Sequence, residues 1–191
     1  MLSMRQAKTL DDKELKTVLA HCATRRHAKR DRALLLTGFF AGLRAKEIAA
    51  LSVCDVLAPD GTIRAEFVLS PEQTKGTRAR KVFVGSKLQR ELAAYLRLIK
   101  TNDTSAPLFI SQKGVRFSPN SMSQLITHIY QDAGIVGATS HSCRRSFITN
   151  LAHKGVSVRI LAELAAHSSI TTTQRYIDIN DKQLRAAVEL V

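Results

Sequence analysis

The sequence predicts an α+β fold that is mainly α-helical and contains one small antiparallel β-sheet. Apolar residues recur at helical spacing in most segments, whereas β-favouring composition is confined to residues 62–69 and 81–84. A length of 191 residues with 45% hydrophobic content is enough for one sizeable core. We therefore expect a single domain over residues 1–191.

Three helices are predicted in the first part of the chain. Residues 9–22 begin with a capping residue and two acids, and then place apolar residues at helical spacing. Residues 23–42 start as a basic run and become almost continuously apolar, which suits a helix that enters the core. Gly42 allows a sharp break, so that a third helix can follow over residues 42–51.

The sheet is predicted between residues 55 and 84. Asp60 and Gly61 form a turn signal, and the two β-favouring runs follow it. The later hairpin, residues 73–81, carries Lys75 beside Gly76 at its turn. From that position a flexible ammonium group can reach into a cleft, although a solvated hairpin tip would look the same. Arg78, Arg80 and Lys81 of the same hairpin are interpreted as phosphate contacts.

The remaining helices follow from apolar stripes with capping signals at their starts and glycines at their ends. They cover residues 87–100, 118–133, 141–153 and 157–167, with further helical turns at 171–176. A last amphipathic piece, residues 180–191, either completes the core or docks on a neighbouring protomer.

The charge of the chain points to a polyanionic partner. Lys and Arg number 29 against 16 acidic residues, which gives a formal net charge of +13. A domain this basic usually binds DNA or RNA, and a merely basic protein is the alternative. Half of the residues in 24–33 are Lys or Arg, either as a solvated helix start or as phosphate contacts. With no Trp, three Tyr and seven Phe, the chain favours duplex backbone contact over base stacking.

Several classes of protein are disfavoured by what the sequence lacks. Three cysteines without a C-x-x-C motif fit a reduced, cytosolic compartment. There is no signal-type apolar region and no long apolar run, so we expect neither secretion nor membrane insertion. Acidic clusters for two metals, zinc-spaced histidines and a P-loop are also missing. We therefore expect phosphoryl-transfer chemistry without a metal, nucleotide or other cofactor.

The candidate catalytic residues of the C-terminal part are His141, Arg144, His167 and Tyr176. Helical i, i+3 spacing puts His141 and Arg144 on one face, where a guanidinium fork and an imidazole can bind one phosphate. A tyrosine is a weak nucleophile that needs neighbouring cations to favour its phenolate. Taken singly, these residues also fit a solvated helix face and a half-buried packing tyrosine.

Arg44 is a fifth candidate, because it lies near a predicted helix start where backbone N–H groups also favour an anion. Glu47, three residues later, can hold the Arg44 side chain by a charge-assisted hydrogen bond. The same pair also fits an ordinary surface ion pair.

These motifs together resemble the tyrosine recombinases, also called phage-type integrases. H-x-x-R followed by A-H-S-S-I-T-T-T-Q-R-Y is similar to the C-terminal signature of that family. G-L-R-A-K-E-I-A-A-L, over residues 42–51, resembles its first-arginine motif. The resemblance extends from about residue 9 to the end of the chain and implies an integrase-like catalytic domain.

The resemblance also implies roles for the candidate residues. Arg44 and Arg144 would clamp the non-bridging oxygens of the scissile phosphate, and His141 and His167 would donate to them or manage a proton. Tyr176 would attack the phosphate and leave a 3′-phosphotyrosyl link. Lys75 matches by location the lysine that protonates the leaving 5′-oxygen.

At the level of the assembly, the resemblance implies double-stranded DNA as partner and a tetramer on paired DNA sites, with residues 180–191 as a possible exchange helix. Members of the family usually carry a separate N-terminal domain, so the chain is similar to the short fimbrial-type invertases or is a fragment. Cys143, Arg145 and Ala166 depart from the family's usual Leu, His and Gly. A type IB topoisomerase and a non-catalytic DNA-binding regulator with the same fold remain as alternatives.

Overall fold

The computed structural model describes residues 7–74, 79–99, 101, 103–167, 169–176, 185, 188 and 189. In chain order its elements are α1 (Asp12–Thr24), α2 (Ala28–Ala41), α3 (Ala45–Ala50), α4 (Val53–Val56), β1 (Glu66–Leu69), β2 (Arg80–Phe83), α5 (Ser86–Leu96), α6 (Pro119–Asp132), α7 (Ser142–His153), α8 (Val158–Ala165) and α9 (Ile170–Gln174). The predicted fold class is confirmed, since the described residues are mainly helical with one two-stranded antiparallel sheet.

Helix α2 is the centre of the fold, because it packs against α1, α3, α5 and α7. Its apolar second half is buried on all sides, including Leu34, Leu35 and Leu36. Gly38 lets α7 come close, since an added Cβ would lie 3.0 Å from the Cβ of Cys143. The core therefore holds α7, and the residues on it, at a fixed position against α2.

The sheet pairs β1 with β2 in antiparallel register, with Glu66 opposite Phe83 and Leu69 opposite Arg80. Side chains alternate along each strand, so Arg80 faces the interior together with Val82. The connection between the strands contains the predicted Lys75 hairpin. Residues 75–78, and with them Lys75, lie outside the described residues.

Helix boundaries differ from the sequence predictions at a few ends. The first helix begins at Asp12, because Asp11 and Glu14 form the capping box that fixes its start. The four-residue helix α4 was not predicted, since it is too short to show apolar periodicity. Most of the predicted piece at 180–191 lies outside the described residues.

None of the described helices is long and apolar enough to cross a membrane.

The basic run over residues 24–33, which extends into the first turns of α2, is largely explained by the fold itself. Three of its five cationic side chains pair with carboxylates of the same chain: Arg25 and Arg30 with Asp31, and Arg32 with Glu91. Asp31 is buried, so its two arginine partners satisfy a charge that would otherwise destabilise the helix start. Arg26 and Lys29 stay exposed at the surface.

Two helices end in the left-handed region of backbone conformation. Gly42 closes α2 with φ +62°, and an added Cβ would lie 2.5 Å from the Phe147 ring on α7. Ala166 closes α8 with φ +46° and is the one non-glycine residue with positive φ in the described part of the chain. The left-handed region costs a residue with a Cβ about 1–2 kcal/mol, so Ala166 is strained where a glycine would not be.

Replacing Gly42 by Ala should lower the free energy of unfolding by about 2–4 kcal/mol, from the positive φ together with the overlap on Phe147. Gly61→Ala is the matched control, because Gly61 has φ +81° and no atom within 4 Å of an added Cβ. It should lose only about 1 kcal/mol in urea unfolding. Equal losses in the two variants would mean that Phe147 moves aside without resistance.

Replacing Ala166 by Gly should raise the free energy of unfolding by about 1 kcal/mol, because it removes the strain of the left-handed conformation. Ala94→Gly, an exposed substitution inside α5, should lower it by about 1 kcal/mol and controls for backbone entropy. Thermal and urea unfolding measure both changes. Destabilisation by Ala166→Gly would contradict the strained helix end.

Candidate active site

Two arginines fill the space between the C-terminal ends of α2 and α8. The last carbonyl groups of a helix lack partners within it and carry partial negative charge. The buried Arg144 donates to the carbonyl of Gly42 at 2.7 Å and to the carbonyl of Ala165. Arg80 donates to the carbonyl of Leu164 at 2.8 Å and lies 3.5 Å from the Gly42 carbonyl. Both guanidinium groups are therefore fixed by backbone from two helices.

Glu47 joins this pair to Arg44. Its carboxylate has 0% exposure and accepts from Arg44 Nη1 at 2.9 Å and from Arg80 Nη1 at 2.6 Å. It also accepts from the backbone N–H of Arg44 at 2.8 Å, which fixes the start of α3. The predicted hold of Glu47 on the Arg44 side chain is present in the structure.

The site carries more positive than negative side-chain charge. Among the described residues, the guanidinium groups of Arg44, Arg80 and Arg144 share the single carboxylate of Glu47. Burial, followed by the charges of Arg44 and Arg80, lowers the pKa of Arg144 to about 9. Burial also lowers the pKa of Arg80, while Glu47 opposes that shift. A cluster of this kind is suited to an anion that supplies the missing negative charge.

His167 lies beside the three arginines, just after the end of α8. Burial, followed by the charges of Arg144, Arg44 and Arg80, lowers the pKa of His167 to about 4. Its Nδ1 lies 2.8 Å from Oγ1 of the buried Thr173 on α9. The imidazole is therefore neutral at neutral pH, with one nitrogen able to donate and the other able to accept.

Tyr176 follows α9 and is half-buried. Its ring stacks on the His167 ring with centroids 5.7 Å apart, and the Arg145 guanidinium lies 5.4 Å from its centroid. Thr149 on α7 donates to its backbone carbonyl at 3.2 Å. Tyr176 also contributes to the electrostatic surroundings of Arg144, so the phenol belongs to the same site.

The structure thus brings Arg44, Arg144, His167 and Tyr176 together. His141 is exposed at the start of α7, three residues before Arg144 on the same helix. Lys75 lies outside the described residues. Within the part of the chain that the structure describes, no group of three or more His, Cys, Asp or Glu side chains is arranged to hold a metal ion.

Arg80 is the residue whose role the sequence interpretation missed. The sequence suggested that Arg78, Arg80 and Lys81 contact phosphate. This is wrong for Arg80, which is 4% exposed and donates to Glu47 and to helix-end carbonyls. The available signal was the period-two alternation of β2, which puts Arg80 on the same face as Val82. Lys81 faces outward and pairs with Glu66 at 2.7 Å.

Comparison with known proteins agrees with this geometry. The sequence model of the phage integrase family matches residues 8–183. The tyrosine recombinase XerC of Pelobacter propionicus is 30% identical over 152 residues, which cover 79% of this chain and 48% of that protein. The tyrosine recombinase XerA of Thermococcus kodakarensis is 34% identical over 185 residues, which cover 95% of this chain and 62% of that protein. The chain spans about half the length of the curated relatives that it matches.

Solved structures show the same fold. A crystal structure of a XerA recombinase superposes on 100% of this chain and 65% of that chain, with a TM-score of 0.77 and 24% identity. The catalytic domain of bacteriophage HP1 integrase covers 96% of this chain and 95% of that chain, with a TM-score of 0.67 and 20% identity. By its sequence match over nearly its whole length, the chain belongs to the phage integrase family.

Proposed function

We propose that this chain is the catalytic domain of a site-specific DNA recombinase that cuts and rejoins DNA through a 3′-phosphotyrosyl intermediate. The observation that carries the proposal is the excess of guanidinium groups over carboxylate in a site that also holds a tyrosine and a neutral histidine. A phosphodiester is the anion that completes such a site, and the phenol beside it supplies a nucleophile.

In this mechanism Arg44 and Arg144 bind the non-bridging oxygens of the scissile phosphate. Charge on these oxygens grows in the transition state, and guanidinium groups already fixed by Glu47 and by helix-end carbonyls stabilise it without reorganisation. His141 approaches from the start of α7 and His167 from the end of α8, and both serve as donors to the phosphate or as carriers of the tyrosine proton.

Tyr176 attacks phosphorus through its Oη, and the bond from phosphorus to the 5′-oxygen breaks. The phenol loses its proton to a histidine, and the 5′-oxygen takes a proton from Lys75. The covalent link conserves the energy of the phosphodiester, so the reverse attack by a 5′-hydroxyl rejoins a strand without ATP. The chemistry needs neither a metal nor a cofactor.

Double-stranded DNA is the proposed partner. The formal charge of +13 supports it, and the XerH recombinase, which shares this fold with a TM-score of 0.72 and 22% identity, was solved bound to its difH substrate. A cytoplasmic, nucleoid-associated location follows from that partner.

We also propose a tetramer on paired DNA sites, with residues 180–191 exchanged between protomers. Leu184, Val188 and Val191 recur at helical spacing, and Val188 is 73% exposed within its own chain, which supports a partner surface for this segment. Residues 1–191 would then act as one catalytic domain within this assembly.

Tyr176→Phe should abolish covalent adduct formation, because the variant keeps the ring contacts with His167 and Arg145 but lacks the nucleophilic oxygen. The measurement uses a pool of nicked suicide duplexes of random sequence, from which the cleaved fragment diffuses away, followed by denaturing electrophoresis. Tyr95→Phe is the matched control, since Tyr95 is a buried residue stacked on Phe109 and should react like the wild type.

Adducts that persist in Tyr176→Phe would place the nucleophile elsewhere. A wild-type protein that forms no adduct with any member of the pool would favour a DNA-binding regulator. Relaxation of supercoiled plasmids irrespective of sequence would favour a topoisomerase.

Lys75→Ala should slow cleavage of ordinary DNA by about 10²–10⁴-fold, as expected for the loss of a general acid. It should cleave DNA with a bridging 5′-sulfur at nearly the wild-type rate, because a thiolate leaves without being protonated. Lys13→Ala, an exposed lysine of α1, should behave as wild type on both substrates. A similar defect of Lys75→Ala on both substrates would rule out proton donation by Lys75.

A further inference from the structure

We propose that Arg80 is a positioning residue of the active site, which holds Glu47 and two helix ends so that Arg44 and Arg144 are presented to the scissile phosphate. The proposal rests on the recombinase function given above. It goes beyond that function because it assigns a role to an arginine that reaches the substrate only through other residues.

The contacts of Arg80 connect every element that fixes the two clamp arginines. Its Nη1 donates to Glu47 at 2.6 Å, and its Nη2 donates to the carbonyl of Leu164 at 2.8 Å. The same Nη2 lies 3.4 Å from the carbonyl of Ala41 and 3.5 Å from that of Gly42. β2 is thereby joined to the ends of α2 and α8, where Arg144 is also bound.

Glu47 shows why a third arginine is needed. Its carboxylate accepts from the side chain of Arg44 through Oε1 and from Arg80 through Oε2. Without Arg80, the buried carboxylate would have Arg44 as its one side-chain partner among the described residues, and its full charge would hold Arg44 back from a phosphate. Arg80 shares the charge of Glu47 and so leaves Arg44 able to bind the substrate.

Stability alone does not account for this arrangement. A buried guanidinium carries a large desolvation penalty, and a hydrophobic residue of similar volume is often at least as stabilising. The Nε of Arg80 is buried without a hydrogen-bond partner in the described part of the chain, which adds to that penalty. The charge of Arg80 is retained at a place where it repels Arg44 and Arg144, as expected of a site built for an anion.

A second consequence concerns His167. The groups that face this imidazole are Arg144 of α7, Arg44 at the start of α3, Arg80 of β2, Thr173 of α9 and Tyr176. Burial contributes most to the low pKa of His167, and the three arginines each lower it further. Loss of the Arg80 charge should therefore raise the pKa of His167 towards its ordinary value, which reports the charge of Arg80 in the site independently of the reaction rate.

The test compares Arg80→Lys and Arg80→Met with Arg116→Met. Arg116 is the matched control, because its guanidinium also binds the carbonyls at a helix end, those of Ala50 and Leu51, at the opposite end of α3 from Arg44. Measurements are urea unfolding, DNA affinity, the rate of adduct formation at saturating DNA, and the NMR titration of His167.

Arg80→Lys should keep the low pKa of His167 but form adduct about 10–100-fold more slowly at saturating DNA, since a lysine carries the charge without the fork that binds several partners. Arg80→Met should show the same slow step and a higher pKa of His167. DNA affinity should change less than about three-fold in both variants, because non-specific phosphate contacts dominate it. Arg116→Met should match the wild type in rate and titration.

The proposal is overturned by folded Arg80 variants that react at the wild-type rate, or by a rate that falls only in proportion to the folded fraction. It is also overturned if neither variant folds, because Arg80 would then be a residue of stability. If the wild type forms no adduct at all, the recombinase function fails, while the titration of His167 still reports whether Arg80 places its charge in the site.

Discussion

The carbonyl group of Gly42 is the contact on which the site depends. It accepts from Arg144 at 2.7 Å and lies within 3.5 Å of Arg80, and Arg44, the other proposed clamp residue, follows two positions later in the chain. The left-handed conformation of Gly42 ends α2 at this point and turns the chain into α3. The missing side chain lets Phe147 of α7 pack against the turn, which brings Arg144 into range. One backbone conformation thus sets the positions of all three arginines.

The electrostatics of the cluster select its ligand. Guanidinium groups stay protonated under all ordinary conditions, so the excess positive charge cannot be relieved by loss of a proton at neutral pH. Relief comes from a bound anion, and the planar donors of guanidinium match the oxygens of a phosphate. The same field keeps His167 neutral, so this histidine is able to accept a proton or donate a hydrogen bond without adding further charge. An uncharged or cationic ligand would leave the excess positive charge of the cluster unbalanced.

Much of this fold was predictable because its signals are local. Apolar periodicity and capping residues located the long helices, and the Asp60–Gly61 turn with two β-favouring runs located the sheet. The helix-end contacts of Arg80 and Arg144 were not predictable, because they join residues 21 to 102 positions apart in the sequence. The sequence left the basic run over residues 24–33 open between a solvated helix start and phosphate contacts, and in the structure Asp31 and Glu91 pair with three of its cations. Sequence patterns reveal the spacing of side chains along one element. They do not show which backbone carbonyl groups are left without hydrogen-bond donors in the folded chain.

The placement of Tyr176 follows from the same packing of α7 and α8. Thr149 and Arg145, both on α7, contact its carbonyl group and its ring, and the His167 ring after α8 stacks on the Tyr176 ring. Arg145 stands where the resembling family usually has His, and its Nε is fixed at 3.0 Å from the hydroxyl of Thr9. A guanidinium over an aromatic ring is attracted to the π-electrons of that ring, so Arg145 adds a cation–π contact to the hydrogen bond from Thr149. Two residues of α7 therefore hold the proposed nucleophile, and its position relative to Arg144 on the same helix is set by α7 itself.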